Sequence, residues 1–314
     1  MCLAGAMTDD AAVSVEESTT PSRRPATALW AFALIGIGGA AFGLLPWLLS
    51  GARVPLQNLW PTIPADIPIA LLPFHPYAST HVLAMLLVGA AAAGIAGRAL
   101  GARRVRWATP VLVAAVAVSQ IAAVIQAAVA TRSTLPDRGE SDIWVAVIAG
   151  GSLAAVAAGI VVTALIARAP RAGALIGLTL GAITASSWVS SLFVPYGALI
   201  VETPAALSLT QWVAPVLIGA AIAWTGVHTP GRVIAVLAAL LMLWVIPAAI
   251  TGMWNAVSGR VLWRDLPEMI DVARRVFLSA LFVPELAVRR LVAAIVAAAV
   301  GLGIRFALGR RRPR

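Results

Sequence analysis

The sequence predicts an all-α integral membrane protein with about eight transmembrane helices and with both termini in the cytoplasm. Of its 314 residues, 61% are hydrophobic and only 11% are charged, and the mean hydropathy is +0.93. A soluble domain is about half apolar and about a quarter charged. One globular core cannot bury so large an apolar excess, so a lipid bilayer has to be the solvent for most of the chain.

Eight apolar runs, separated by polar or arginine-containing connections, give the predicted spans. A helix needs about 20 apolar residues to cross about 30 Å of hydrocarbon, and most of these runs are close to that length. A cytoplasmic tail precedes them at residues 1–25, and a basic cytoplasmic tail follows them at 309–314. The predicted spans cover residues 26–49, 79–99, 109–130, 143–167, 172–194, 210–227, 233–254 and 291–308.

The basic charge of the chain is carried by arginine alone and follows the ends of the predicted spans. The net charge is +10 and the pI is about 11.6, values that in a soluble protein suggest nucleic-acid binding. Here the arginines cluster in short connections such as Arg98, Arg103 and Arg106, the pattern that keeps positive loops in the cytoplasm. We therefore expect a multi-pass protein of a bacterial plasma (inner) membrane that binds no nucleic acid.

The first 25 residues are polar and are expected to be disordered. No small-residue cleavage site follows a short apolar region, so the first span is expected to stay in place as a signal anchor. Cys2 is the single cysteine, which excludes a disulfide within the chain. Met7 opens a plausible alternative start of translation.

Residues 46–81, here called the Pro-rich segment, form the long connection between the first two spans. Proline at this density prevents a continuous helix, because each ring removes a backbone donor and clashes with the preceding turn. The segment is nevertheless too apolar for an ordinary solvated loop, so we expect a structured external lid on the membrane face. Its prolines are Pro46, Pro55, Pro61, Pro64, Pro68, Pro73 and Pro76.

A second long external connection is predicted at residues 255–290. Asp265 followed by Glu268 is typical of a capping box at a helix start. The apolar residues that follow share one helical face, whereas the charged residues lie on others. This stretch is too polar to span, so an amphipathic helix lying flat on the outer leaflet is expected.

Small residues recur at helical spacing and suggest tight packing and an internal duplication. Gly39 and Gly43 in the first span, and Gly173, Gly177 and Gly181 in the fifth, form small-residue stripes. The strings ALIGIGGA and ALIGLTLGA open spans one and five, and LVGAA and LIGAA recur in spans two and six. Two four-span halves of equal orientation would form a parallel repeat, a plan used by transporters.

Few residues in the sequence suggest chemistry. No acidic residue falls within a predicted span, and no Walker A, GxSxG, HExxH or CxxC pattern occurs. The candidate site residues are Asp66, His75 and His81, all in the Pro-rich segment. Two histidines and one carboxylate do not make a convincing metal site, so no metal and no cofactor is expected.

Two functions of different classes remain open from the sequence. The first is a non-enzymatic role as a permease-like protein or accessory membrane subunit, favoured by the packing stripes and the lack of catalytic motifs. The alternative is a membrane-embedded enzyme acting on a lipid-linked substrate at the outer leaflet through Asp66, His75 or His81. The expected partners are membrane lipids and a protein bound through the external face.

Overall fold

The computed structural model describes residues 29–60, 62–103, 105–194, 205–258 and 265–310. Within these ranges the chain is helical apart from its connections and contains no β-strand. The predicted tail at 1–25, with Cys2, lies outside them, and of the tail at 309–314 only its first two residues are described. The helices are α1 Leu29–Leu49, α2 Ser79–Ala99, α3 Ala108–Arg132, α4 Gly139–Arg168, α5 Arg171–Phe193, α6 Ala205–Thr210, α7 Val213–Thr225, α8 Pro230–Ser258, α9 Leu266–Leu281 and α10 Pro284–Arg310.

Eight helices in the described part of the chain are long and apolar enough to cross a membrane. They are α1 to α5, the stretch Leu207–Thr225 that joins α6 to α7, α8, and Ala287–Leu308 of α10. Large apolar side chains such as Leu34, Val118 and Ile234 are exposed on their outer surfaces, as lipid-facing positions of a membrane bundle should be. The predicted all-helical class with eight membrane-spanning helices is confirmed at this level.

Several helices extend beyond the predicted spans and include charged residues, among them α4 and α10 at their starts. The fourth span was expected from residue 143, but α4 begins at Gly139 and includes Glu140 and Asp142 in its first turn. The last span was expected from residue 291, but α10 begins at Pro284. The difference arises because an apolar-run criterion stops at the first charge, whereas a helix continues as long as its backbone bonds are satisfied.

The helix pairing is the same in the two halves of the chain. In the first half, α1 and α4 each pack against both α2 and α3; in the second, α5 and α10 each pack against both α7 and α8. The glycine contacts do not repeat, because Gly89 of α2 meets α1 whereas Gly219 of α7 meets α10. The internal duplication therefore stays a prediction.

The backbones of α1 and α2 approach each other closely. A Cβ atom built on Gly89 would lie 2.8 Å from the carbonyl oxygen of Gly39 and 3.2 Å from the Cα of Gly43. Only a residue without a side chain allows the two backbones to meet at this distance. The predicted small-residue packing at Gly39 and Gly43 is confirmed, with α2 as the partner.

One end of the bundle, the arginine-rich face, is held by arginines that bind helix ends. Arg98 donates to the carbonyl oxygens of Ile166 and Ala169 at 2.6 and 3.0 Å, which satisfies the C-terminal carbonyls of α4. The same guanidinium lies 5.0 Å from the centre of the Trp224 ring on α7. Arg305 of α10 contacts the carbonyl oxygen of Trp224 at 2.9 Å. These contacts connect the two halves of the chain at this face.

Candidate functional site

The Pro-rich segment crosses from the end of α1 to the start of α2 at the opposite end of the bundle, with one short 3-10 turn, Pro76–Ala78. Two stretches of the segment, residues 52–57 (the first arm) and 68–74 (the second arm), are joined by backbone hydrogen bonds. Val54 N donates to Pro68 O at 3.0 Å, and Ala70 N donates to Ala52 O at 2.7 Å. Proline supplies a carbonyl acceptor without needing a partner for an N–H group, so a loop can satisfy its backbone with few bonds.

The second arm of the Pro-rich segment is buried among the helix ends. Ala70, Leu72 and Phe74 are each 0% exposed, and they belong to one apolar cluster with Trp47 of α1 and Trp144 of α4. Burying a Leu or Phe side chain from water stabilises by roughly 1.5–3 kcal/mol. The segment is therefore a packed part of the bundle and not a solvated loop.

A buried amide, Gln57, joins the first arm of the segment to the second arm and to α4. Its Nε2 atom donates to Pro55 O at 3.0 Å and to Phe74 O at 2.9 Å, and its Oε1 atom accepts from Trp144 Nε1 at 3.2 Å. Gln57 is only 5% exposed. Because each polar atom is matched, this burial costs little and fixes the path of the segment.

A second amide, Gln126 of α3, holds the same arm from another side. Its Nε2 atom donates to Ile69 O and its Oε1 atom accepts from Leu71 N, both at 2.8 Å. From α1, Trp47 Nε1 donates to Ala70 O at 2.6 Å. The Gln126 side chain thus bonds to the backbone of the Pro-rich segment as a neighbouring strand would.

The three candidate site residues lie in three different environments. Asp66 is exposed, His81 lies partly buried in the first turn of α2, and His75 is 4% exposed. The Nδ1 atom of His75 accepts from Tyr77 N at 3.2 Å, and its ring centre is 5.1 Å from that of Tyr77 and 6.1 Å from that of Trp144. Within the described ranges, no three His, Cys, Asp or Glu side chains are placed to hold a metal ion.

A cleft of ≈ 150 Å³ lies below the 3-10 turn, between α2, α4 and α8. We call it the interhalf cleft, because α8 belongs to the second half of the chain. Its walls are mostly apolar and include Leu83, Val147, Ile250 and Met253. Both α4 and α8 pack against α2, which forms the back wall of the cleft between them.

The interhalf cleft is open toward the side of the bundle. On its two walls Val147 is 42% exposed and Met253 is 56% exposed. Gly151 of α4 also lines the cleft, and a Cβ atom added there would meet no atom within 4 Å. In a membrane-spanning bundle an opening of this kind faces the acyl chains of lipids, not water.

The end of the cleft nearest the Pro-rich segment carries aromatic and hydroxyl groups. The rings of Tyr77 and Trp254 lie 6.4 Å apart, which brings the 3-10 turn against the end of α8. Ser79 and Thr80, at the start of α2, are the hydroxyl-bearing residues of the lining at this end. Tyr and Trp are residues that favour the boundary between headgroups and hydrocarbon. The cleft thus has an apolar body and a polar end.

The amphipathic helix of the second connection is present as α9, but its placement differs from the sequence expectation. The predicted cap is confirmed, since Asp265 Oδ1 accepts from Glu268 N at 3.2 Å. The helix was expected flat on the outer leaflet, whereas it packs along α8. A Cβ atom on Gly252 would lie 2.6 Å from Ala273 O, so this glycine of α8 permits the close approach.

The charged residues of α9 neutralise one another. Arg274 contacts Asp271 at 2.8 Å, and Arg275 contacts Glu268 at 2.9 Å and Asp271 at 3.0 Å. A hydrogen bond from Arg274, together with the positive charges of Arg275 and Arg274, lowers the pKa of Asp271. The pairs made by Asp271 are therefore present above the ordinary pKa of an aspartate and are lost only as pH falls through the lowered pKa of Asp271.

Some residues of the interhalf cleft are noticeable in the sequence, although the hydrophobic periodicity does not single them out. Gly151 follows Gly150 in an otherwise bulky apolar run, and Ser79 and Thr80 begin α2 directly after the prolines. Met253 and Trp254 lie at the end of α8, beyond or at the limit of the predicted span. None of these positions suggests a shared cavity until α2, α4 and α8 are brought together.

Comparison with known proteins gives no relative from which an activity could be transferred. The chain has no significant match among protein-family models, curated proteins or solved structures.

Proposed function

We propose that this chain is a non-enzymatic, permease-like or accessory multi-pass protein of the plasma membrane, and that the interhalf cleft receives the apolar chain of a membrane lipid or lipid-like ligand. One observation carries the proposal, namely an apolar cleft between α2, α4 and α8 with its walls exposed on the side of the bundle. Its hydroxyl and aromatic end suits a ligand that has an apolar tail and a polar head.

The physical basis of selectivity in such a cleft is packing and polar matching. A lipid tail that moves from bilayer to cleft leaves one apolar environment for another, so burial of its surface alone gives no preference. Discrimination must then come from the shape of the walls and from the hydroxyl groups of Ser79 and Thr80. A ligand with a hydrogen-bonding head and one chain seated between α4 and α8 satisfies both conditions.

The surroundings of the candidate site residues support the non-enzymatic role over the enzyme alternative. His75 is held between two aromatic rings and accepts a backbone hydrogen bond within its own turn, which is a structural use of the ring. Asp66 is exposed and is the only acidic residue in the sequence of the Pro-rich segment, whereas paired-carboxylate chemistry uses two.

We place the Pro-rich segment and α9 on the external side, with both termini in the cytoplasm. The support is the concentration of Arg98, Arg171 and Arg232 at the other end of the bundle, which matches the positive-inside pattern. The external face then consists of packed, apolar-rich surface. Membrane lipids and a protein bound at this face are the partners we propose, and nucleic acid is not among them.

Filling the cleft tests the proposal. The substitution Gly151→Leu places a side chain into the open space of the cleft without a clash, because no atom lies within 4 Å of the new Cβ. We expect a photoactivatable phospholipid with a diazirine in its acyl chain to cross-link to Met253 and Val147 in the native protein in liposomes. In Gly151→Leu this cross-linking should fall to background, as measured by mass spectrometry of peptides.

The adjacent Gly150 provides a matched control. It is also a helical glycine with open space around its Cβ, but it does not line the cleft, and Gly150→Leu gives the same gain in helix propensity of roughly 1 kcal/mol. Cross-linking should therefore be unchanged in Gly150→Leu. Equal cross-linking in all three proteins would show that no acyl chain occupies the cleft and would remove the basis of the proposal.

A further inference from the structure

Two adjacent arginines, Arg289 and Arg290, lie within the membrane-crossing part of α10. The apolar stretch of this helix that is long enough to span runs from Ala287 to Leu308. Its other end bears Arg305, which contacts Trp224 at the arginine-rich face. The pair therefore lies at the opposite end of the same helix, and the positive-inside pattern does not account for it.

Arg289 and Arg290 lie beside the residues that precede α7. The guanidinium carbon of Arg289 lies 5.8 Å from the centre of the Trp212 ring. Arg290 is half-buried, and together with Gln211 it lines a small crevice beside the same tryptophan. This crevice lies at the break between α6 and α7, where the chain turns at Gln211 and Trp212.

Within the described part of the chain no ion pair joins either guanidinium group to a carboxylate, and this includes Glu285, one turn before Arg289 on α10. The ion pairs of the described residues involve Arg132, Arg274 and Arg275, and Arg289 has only its contact with Trp212. The contrast with α9 is informative, because Arg274 and Arg275 are each paired to carboxylates of their own helix.

An uncompensated pair of charges near hydrocarbon is unfavourable, so a site of this kind needs an anion. The planar guanidinium group has a fork of donors that matches the oxygens of a phosphate, and two neighbouring forks can bind one phosphate group. A membrane offers phosphate at the depth where Trp rings favour the boundary with the headgroups. Trp212 is such a ring, and it lies against Arg289.

We propose that Arg289 and Arg290, beside Gln211 and Trp212, bind the phosphate group of an anionic membrane phospholipid. This site is separate from the interhalf cleft, because none of its residues lines that cleft. It assigns to α10 a role in holding a specific lipid at the break between α6 and α7.

The test measures binding to the full-length protein in detergent by native mass spectrometry and lipid titration. The probes are a phosphatidylglycerol, a phosphatidylcholine with the same chains, and inorganic phosphate. We expect phosphatidylglycerol to bind most tightly, and we expect Arg289→Gln with Arg290→Gln to weaken it by about tenfold or more, since hydrogen bonds to charged groups are worth roughly 1.5–3 kcal/mol.

The double variant Arg274→Gln with Arg275→Gln is the matched control, because it removes the same charge from exposed, ion-paired residues of α9. Its affinity for phosphatidylglycerol should stay within about twofold of the native value. Arg290→Lys guards against misfolding, because it keeps the charge but loses the fork, and it should bind with intermediate affinity. Competition by inorganic phosphate would show that the phosphate group alone is recognised. No competition would show that the site requires phosphate carried by a lipid.

Equal affinity of the native protein and both double variants for phosphatidylglycerol would overturn the proposal. So would a loss of the same size in the α9 control, because the effect would then come from net charge and not from the pair beside Trp212.

Discussion

At the scale of single residues, the structure depends on a few buried amides. Gln57 matches three polar groups, and Gln126 matches two backbone groups of the Pro-rich segment. Gln120 of α3 donates to Leu86 O of α2 at 2.8 Å. Within a membrane, a polar group without a protein partner cannot form a hydrogen bond to water instead. Loss of any one of these hydrogen bonds is therefore costly in free energy.

Gln57→Ala is expected to destabilise the protein by about 2 kcal/mol or more, because it leaves Phe74 O and Trp144 Nε1 buried without their partner. Thermal or denaturant unfolding of the detergent-purified protein measures the effect. Asn58→Ala is the control, since this neighbouring side chain is exposed on the same segment. Equal stability of the two variants would contradict the role given to Gln57.

At the scale of helices, the packing depends on where small residues face a neighbour. Gly39 lies against Ala93 of α2, whereas the adjacent Gly38 has no atom within 4 Å of an added Cβ. Gly177 and Gly181 of α5 likewise lie against α4 and α2. Where the apolar surfaces on both sides resemble lipid, this close van der Waals packing is the main force that holds helices together.

Gly39→Leu should therefore cost about 3 kcal/mol or more, because its Cβ would lie 2.6 Å from that of Ala93 and 2.9 Å from the α2 backbone. Gly38→Leu should leave the unfolding midpoint nearly unchanged, since its side chain faces open space. Unfolding of the two purified proteins separates these outcomes. A stable Gly39→Leu protein would mean that α1 and α2 do not meet at this distance.

At the scale of the whole molecule, two four-helix halves meet along α2, α4 and α5, and the interhalf cleft opens beside this contact. At one face, Arg98 of α2 and Arg171 of α5 both lie over Trp224 of α7, and the Arg98 contact connects the halves. At the other face, the Pro-rich segment covers the ends of α1, α3 and α4. The two faces thus differ in charge and in structure, which gives the bundle a defined polarity.

The orientation proposed for this polarity predicts a simple labelling result. In a Cys2→Ser background, Asp66→Cys should react with a membrane-impermeant maleimide added to intact cells, because this exposed position lies on the external side. The exposed His228→Cys, beside Arg232 at the arginine-rich face, should react only after the membrane is permeabilised. The reverse pattern would invert the proposed topology.

Much of the fold was predictable because one physical requirement dominates it. In hydrocarbon every backbone polar group must be bonded within the chain, so apolar runs of sufficient length become helices. Runs such as Ser79–Ala99 therefore have nearly the predicted bounds. The capping signal of Asp265 was equally reliable, because a cap is a local hydrogen bond.

The placement of side chains between helices was much less predictable. The sequence suggested His75 as a candidate site residue, but the surroundings of its ring depend on Tyr77 and on Trp144, which lies in α4. It placed α9 flat on a leaflet, whereas Gly252 allows it to pack along α8. Hydropathy predicts whether a residue is in an apolar or a polar environment, but it does not predict which residues it contacts.

By itself the sequence determined a helical membrane bundle with an arginine-rich face and a Pro-rich connection, because hydrophobic length and charge act locally along the chain. Only the tertiary structure decided that the connection packs as part of the bundle, that α2, α4 and α8 enclose a cleft, and that Arg289 and Arg290 lie beside Trp212. These features arise where residues far apart in sequence meet, and packing between helices is what brings them together.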